Sequence, residues 1–249
     1  VTGDDLMPQL PALRETVPPV RELQSGAPLP DKLLTANAYL GALPVKAALD
    51  AGAQVVITGR CVDSAVTLGV LMHAFGWTPE QHDLLAAGSL AGHIIECGAQ
   101  ATGGLHTDWE RVPDWAHIGY PIVECAANGD FTVTKPAGTG GLLTPAVVAE
   151  QMLYEIGDPA SYILPDVVCD FTQVVLAQAG EHRVAVRGAR GRAPTDTYKV
   201  STTWPDGYKF SSIFMLGGRE AVAKGRHSAE SIIKKTRRMF AEKGMADYR

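Results

Sequence analysis

His93, Glu96 and Cys97 stand at i, i+3 and i+4 within residues 88–104, GSLAGHIIECGAQATGG, so on a helix all three share one face. A histidine and a carboxylate one turn apart can serve as general acid and base. A thiol beside an imidazole can ionise to a nucleophile. Ala101-Thr102-Gly103-Gly104 follows as a helix stop, and Thr102, Gly103 and Gly104 make a loop able to approach a ligand closely. The same spacing also suits a surface pair, His93 with Glu96, beside a buried and inert Cys97. No HExxH or related zincin spacing supplies a third ligand, so no metal site is expected.

Two further stretches carry chemistry. Gly59-Arg60-Cys61-Val62-Asp63 follows a short β-branched run and opens a helix. Arg60 can fork a carboxylate or phosphate at the strand's carboxyl end, while Asp63 fits either a ligand contact or an N-cap. Lys135-Pro136-Ala137-Gly138-Thr139-Gly140-Gly141 has the composition of an anion cradle. Gly138, Gly140 and Gly141 free backbone N–H groups, Thr139 adds a hydroxyl, and Lys135 adds a charge. An ordinary loop between hairpin and helix is the alternative. Asn37, Tyr39 and Tyr120 lie beside loops and complete the candidate binding set. GxxxxGK[ST], GxGxxG and GxSxG are all absent. No nucleotide cofactor or serine nucleophile is therefore indicated, and no cofactor is predicted.

The elements that would position these groups come in two styles. Leu40, Leu43, Ala47, Ala48 and Ala51 recur at helical spacing up to Gly52, and residues 54–58, QVVIT, read as a buried strand. Asp63-Ser64 opens a second helix ended by Gly76, Thr78-Pro79 begins another, and a third contains the His93 face. Asn128-Gly129 marks a hairpin, and Thr144-Pro145 caps a further helix. From Pro165 the apolar period changes to two. Hairpins are predicted about Gly180-Glu181 and about Pro205-Asp206-Gly207, then one helix over about residues 219–242. The predicted fold is α/β: parallel-sheet αβ units, then an antiparallel β-hairpin subdomain and a C-terminal helix. The expected domains are residues 1–164, with the Gly-rich loops, and residues 165–249.

The chain has 249 residues, 46% of them apolar, enough for a substantial core. A net charge of -5 gives no footprint for nucleic acid. Four cysteines without CxxC spacing indicate neither a zinc ribbon nor a disulfide framework. With no leader pattern and no long apolar run, the expected location is the cytoplasm, without membrane contact. Residues 1–6 read like the end of a strand running into an acidic loop, so the chain reads as a fragment or short form.

Several blocks in order resemble one family: VTGDDL at the start, Thr35-Ala36-Asn37-Ala38-Tyr39-Leu40-Gly41-Ala42, and Val56-Ile57-Thr58-Gly59-Arg60 with Asp63-Ser64. Ala91-Gly92-His93 to Glu96-Cys97-Gly98-Ala99-Gln100, Thr102-Gly103-Gly104, Ile118-Gly119-Tyr120-Pro121 and the Lys135 loop continue the likeness. It is similar to the acyclic terpene utilisation family, AtuA-like. The resemblance implies breakdown of isoprenoids of the citronellol and geraniol type, a route with coenzyme A thioester intermediates. It also implies a further N-terminal α/β region, supplied within a homo-oligomer or by a partner chain. The expected substrate is a branched acid or its acyl-CoA, with coenzyme A entering as part of it. Hydration, dehydration or related lyase chemistry is expected. A non-catalytic substrate-binding or assembly subunit is the alternative.

Overall fold

The computed structural model describes residues 1–248. Four α-helices and one strand precede the first hairpin: α1 (Leu10–Arg14), β1 (Thr35–Ala38), α2 (Leu43–Asp50), α3 (Ala65–Phe75) and α4 (His82–Glu96). Helix α4 is the axis of the molecule's core. Every residue from Leu85 to Ile94 is buried. Its face toward α3 is built on Leu85, Gly88 and Gly92, whereas Leu90 and Ile94 are sealed from solvent. A helix apolar all round must be enclosed by other elements. Each fully buried leucine or isoleucine contributes about 1.5–3 kcal/mol by leaving water.

Gly76, with φ of +67°, ends α3 in the left-handed conformation, as its type predicts. Thr78-Pro79 forms a turn held by Gln81, whose Oε1 accepts from the Thr78 N–H at 2.8 Å. The two helices expected after it are one continuous α4. Asn128-Gly129 turns the hairpin of β2 (Ile122–Cys125) and β3 (Phe131–Thr134). Thr144 caps α5 (Pro145–Leu153), its Oγ1 accepting from the Val147 N–H at 3.3 Å.

The sheets correct one expectation. The fold is α/β, but β4 (Tyr162–Ile163), β5 (Val168–Asp170), β6 (Val175–Gly180), β7 (Arg183–Arg187), β8 (Arg190–Arg192) and β9 (Val200–Thr203) all pair antiparallel. One sheet has the order β2-β3-β7-β6, a second β4-β5-β8, and a third β1-β9. Parallel contact among the described residues is confined to the isolated bridges Leu40–Cys61 and Ile118–Gly140. The predicted strand at 54–58 does not form: Val55 and Ile57 are 80% and 81% exposed. A parallel strand needs both faces covered, and this run has neither. Its main chain is tied to Val1, which donates to the Ile57 carbonyl and accepts from the Gly59 N–H.

Contacts divide the chain at Pro205. In the unit Val1–Pro205 the sheets span the 164/165 position, because β3 pairs with β7 and β1 with β9. The first predicted hairpin after Pro165 is β6–β7. The second does not form: β9 takes β1 as its partner, and residues 208–215 contain no strand. The unit beginning at Asp206 contains α6 (Ala221–Glu242), an amphipathic helix on which Tyr248 folds back, its hydroxyl donating to the Ile233 carbonyl at 3.1 Å.

Candidate functional site

His93 lies at the last turn of α4 and is 5% exposed. Three pieces of backbone close on this turn. Gly92 touches the start of α3 so tightly that an added Cβ would come within 2.8 Å of the Ser64 Cα, which brings Asp63 alongside. From α5, Gln151 donates its amide to the His93 carbonyl at 3.0 Å, which brings the residues after α5 to the same place. From β4, the Tyr162 ring stands 6.1 Å from the imidazole, centre to centre.

The convergence produces an acidic cluster. Carboxylate oxygens of Asp63, Glu96 and Glu155 lie within 4.8 Å of one another. Asp63 precedes Ser64, the N-cap residue of α3, so it is not the cap that its position in the sequence also suits. Glu155 follows the end of α5 with φ of +60°, a conformation uncommon for a non-glycine residue.

The imidazole is neutral at ordinary pH. Burial holds its pKa below the usual 6.5, against the opposing pull of Glu96, the Gln151 backbone, Glu155 and Asp63. Its Nε2 is buried without a hydrogen-bond partner among the described residues. Cys97 donates from Sγ to Glu96 Oε1 at 2.8 Å. Its pKa is pushed up to about 12, first by burial, then by that bond and the surrounding carboxylates. It is therefore a thiol rather than a thiolate. Burial pushes Tyr162 up to about 12 as well, and Tyr154 is raised chiefly by its bond to Glu155.

Of the residues singled out in the sequence, His93, Glu96, Cys97 and Asp63 come together here. Asn37, Tyr39 and Arg60 form a second group around Asp4. The Asn37 Nδ2 and the Arg60 backbone N–H both donate to Asp4 Oδ2 at 2.9 Å. The Arg60 backbone bond is the chief cause that holds the Asp4 carboxyl below its ordinary range. The Arg60 guanidinium lies 5.2 Å from the Tyr39 ring centre and the Lys199 ammonium 5.3 Å from it.

Thr102, Gly103, Gly104, Tyr120, Lys135, Gly138, Thr139, Gly140 and Gly141 make a third group in which two loops brace each other. Thr102 Oγ1 donates to the Gly119 carbonyl at 2.6 Å, and its own carbonyl accepts from the Leu142 N–H at 2.8 Å. The Gly140 and Gly141 N–H groups donate to the His117 and Pro113 carbonyls, so they point into the protein. Lys135 Nζ donates to the Thr139 carbonyl at 2.6 Å, and Thr139 Oγ1 to the Pro136 carbonyl. Glycine is needed at 140 because a Cβ would lie 2.1 Å from the Asp114 carbonyl oxygen. Gly103 and Gly104 donate to the Gln100 and Ala99 carbonyls, Gly138 faces open space, and Tyr120 packs over Gly98. This group joins the first through Gln100, which donates to Gln151 Oε1 at 3.1 Å.

Sequence reasoning did not single out Gln151, Tyr154, Glu155 or Tyr162. Gln151 carried a signal: a polar residue in register with the buried Val147 and Val148 of α5. A cleft of about 360 Å³ lies elsewhere, between the first half of α4, the Asn128-Gly129 turn and residues 186–190. Its floor is apolar (Leu84, Ala87, Leu90, Phe131), and Arg187 and Arg190 stand at its rim.

Fold and site together define a mixed α/β protein with antiparallel sheets and a cluster of proton-carrying side chains at the end of a buried helix. A family model described as "Acyclic terpene utilisation family protein AtuA" matches residues 1–248. The chain belongs to that family, which ties it to acyclic terpene utilisation. Comparison with curated proteins and with solved structures gave no match. Among the described residues, no helix is long and apolar enough to cross a membrane.

Proposed function

We propose that the chain acts in the cytoplasm on a branched isoprenoid-derived acid or its coenzyme A thioester, in a hydration, dehydration or related lyase step. The observation that carries this reading is the neutral, buried His93, its Nε2 unpartnered, with Glu96 one helical turn away. Addition of water beside a carbonyl moves two protons. The imidazole takes one from water as oxygen bonds to the β-carbon, and the imidazolium so formed, stabilised by the Glu96 carboxylate, gives one to the α-carbon. Dehydration is the reverse. Cys97, held as a thiol by Glu96, orients that carboxylate. Arg60, sharing the Tyr39 ring with Lys199, supplies positive charge for a carboxylate or phosphate. The braced loops of Thr102 and Lys135 stiffen the end of α4.

Incubation with branched, unsaturated acyl-CoA substrates in ¹⁸O-labelled water, read by mass spectrometry, tests the reading. Labelled hydrated product is expected, with His93→Gln and Glu96→Gln each slowing it by about 10²–10⁴-fold. Full turnover by His93→Gln would remove the acid–base assignment.

A second reading, a substrate-binding or assembly subunit without turnover, is favoured by the cleft. Its 360 Å³ apolar floor suits a branched chain, yet it contains none of the clustered acid–base groups. Calorimetric binding of acyl-CoA without any product would support it.

A further inference from the structure

Tyr39 stands between two cations that chain order keeps far apart. Ala36 and Ala38 of β1 are buried, so the alternation of a strand turns Asn37 and Tyr39 to the open face. On one side the Tyr39 N–H donates to the Lys199 carbonyl at 3.0 Å, one residue beyond the Ala38–Val200 pair. On the other, the Leu40 N–H donates to the Arg60 carbonyl at 3.1 Å, and the Leu40 carbonyl accepts from the Val62 N–H at 2.9 Å. Three lengths of main chain thus lie side by side, with Lys199, Tyr39 and Arg60 in a row across them. The Arg60 and Lys199 charges stand 5.2 Å and 5.3 Å from the centre of the one ring, each within cation–π reach. We propose that this row is a binding site for a phosphate group bearing two negative charges, held by the Arg60 guanidinium and the Lys199 ammonium beside Tyr39.

Like charges that share a ring repel, and among the described residues neither cation is in an ion pair that would relieve this. The acids of this neighbourhood are already engaged. Asp4 Oδ2 accepts from the Asn37 amide and from the Arg60 main chain, and the guanidinium charge is the smallest of the causes that act on that carboxyl. Asp5 accepts from the Met7 N–H at 2.9 Å. Both cations are exposed and open to a solute. A guanidinium forks two oxygens of one phosphate, and an ammonium adds a point charge. Two positive charges match a dianion, whereas a single carboxylate neutralises only one of them. The Asp4 bond to the Arg60 N–H holds the main chain beneath the guanidinium, so less ordering remains to be done when the anion arrives. The inference rests on the reading of Arg60 as an anion contact, and it goes further in adding Lys199 and a doubly charged ligand. Because binding is read without turnover, its failure is distinguishable from failure of the His93 chemistry.

The test is calorimetric titration of the chain with pyrophosphate at low and at high salt. One saturable site per chain is expected, weaker at high salt. Arg60→Gln and Lys199→Gln should each lower the affinity about tenfold or more, and Lys199→Arg should retain it. These substitutions leave the main-chain bonds of both residues in place, so the frame survives, which circular dichroism checks. Arg183→Gln, whose guanidinium pairs with Glu124, is the control and should change nothing. Acetate, with one negative charge, should bind at least about tenfold more weakly than pyrophosphate. Tighter binding of ADP than of pyrophosphate would mark the ligand as an organic phosphate, and the reverse as an inorganic one; both support the site. Absence of saturable binding at millimolar pyrophosphate overturns the proposal. Binding that survives both Arg60→Gln and Lys199→Gln lies elsewhere, on the basic run of α6 for instance, and overturns it as well. Acetate bound as tightly as pyrophosphate overturns the doubly charged ligand.

Discussion

Gln151 donates its side-chain amide to the main-chain carbonyl of His93 at 3.0 Å, across 58 residues of sequence. The same side chain accepts from Gln100 through Oε1 at 3.1 Å and is 1% exposed. One buried amide therefore joins α4, α5 and the turn after Cys97. Replacing it with leucine keeps the volume but leaves both partners unpaired in the interior. Gln151→Leu should lower stability by about 1–3 kcal/mol, read as a shifted midpoint in urea denaturation. An unchanged midpoint would mean that the clasp is not structural.

Gly92 is the point where α4 meets the start of α3. A Cβ there would stand 2.8 Å from the Ser64 Cα and 2.9 Å from its carbonyl oxygen, both main-chain atoms that cannot yield alone. Gly92→Ala should cost about 1–3 kcal/mol by overpacking, despite alanine's better helix propensity. It should also move Asp63 away from Glu96 and Glu155. Thermal denaturation of this variant beside Gly157→Ala, a site with nothing within 4 Å of an added Cβ, separates the contact from the glycine effect.

Stability should depend on pH through His93. Its pKa in the folded chain lies below the 6.5 of an exposed histidine, so the unfolded chain binds the extra proton first. The contribution of the neutral ring is fully present above pH 6.5. It falls as the pH drops from 6.5 toward the lower folded-state value, and then levels off. Chemical denaturation at a series of pH values should show this loss in the wild type and a flatter profile in His93→Gln. Equal profiles would place His93 in a solvated setting.

The Cys97 thiol, pushed up to about 12, should react slowly with iodoacetamide at pH 8. Glu96→Gln removes the nearest charge and should speed the reaction, measured by peptide mass spectrometry. Rapid alkylation of the wild-type residue would restore Cys97 as a nucleophile.

Local signals in the sequence were reliable where one residue decides the backbone. Gly76 ends α3, Asn128-Gly129 turns a hairpin and Thr144 caps α5. The parallel sheet was misread because β-branched Val55 and Ile57 indicate a strand without saying whether a neighbour covers it. The same gap hid the pairing of β9 with β1, a contact between residues 35–38 and 200–203 that no local pattern encodes. At the site, the i, i+3, i+4 spacing gathered His93, Glu96 and Cys97 correctly on one turn. Glu155 was invisible because it joins them only through the packing of α5 on α4. The Lys135 loop shows the converse: its glycines suggest open N–H groups, yet Gly140 and Gly141 spend theirs on His117 and Pro113.

The central claim is that a neutral His93 sits within a nest of three carboxylates. The most direct measurement is the pH titration of its ring nitrogens by ¹⁵N NMR, in chelator, in the wild type and in Glu96→Gln and Glu155→Gln. The account predicts a midpoint below 6.5 in the wild type, moving lower still in each variant as a stabilising charge is removed. A midpoint at or above 6.5, unmoved by either substitution, would contradict it.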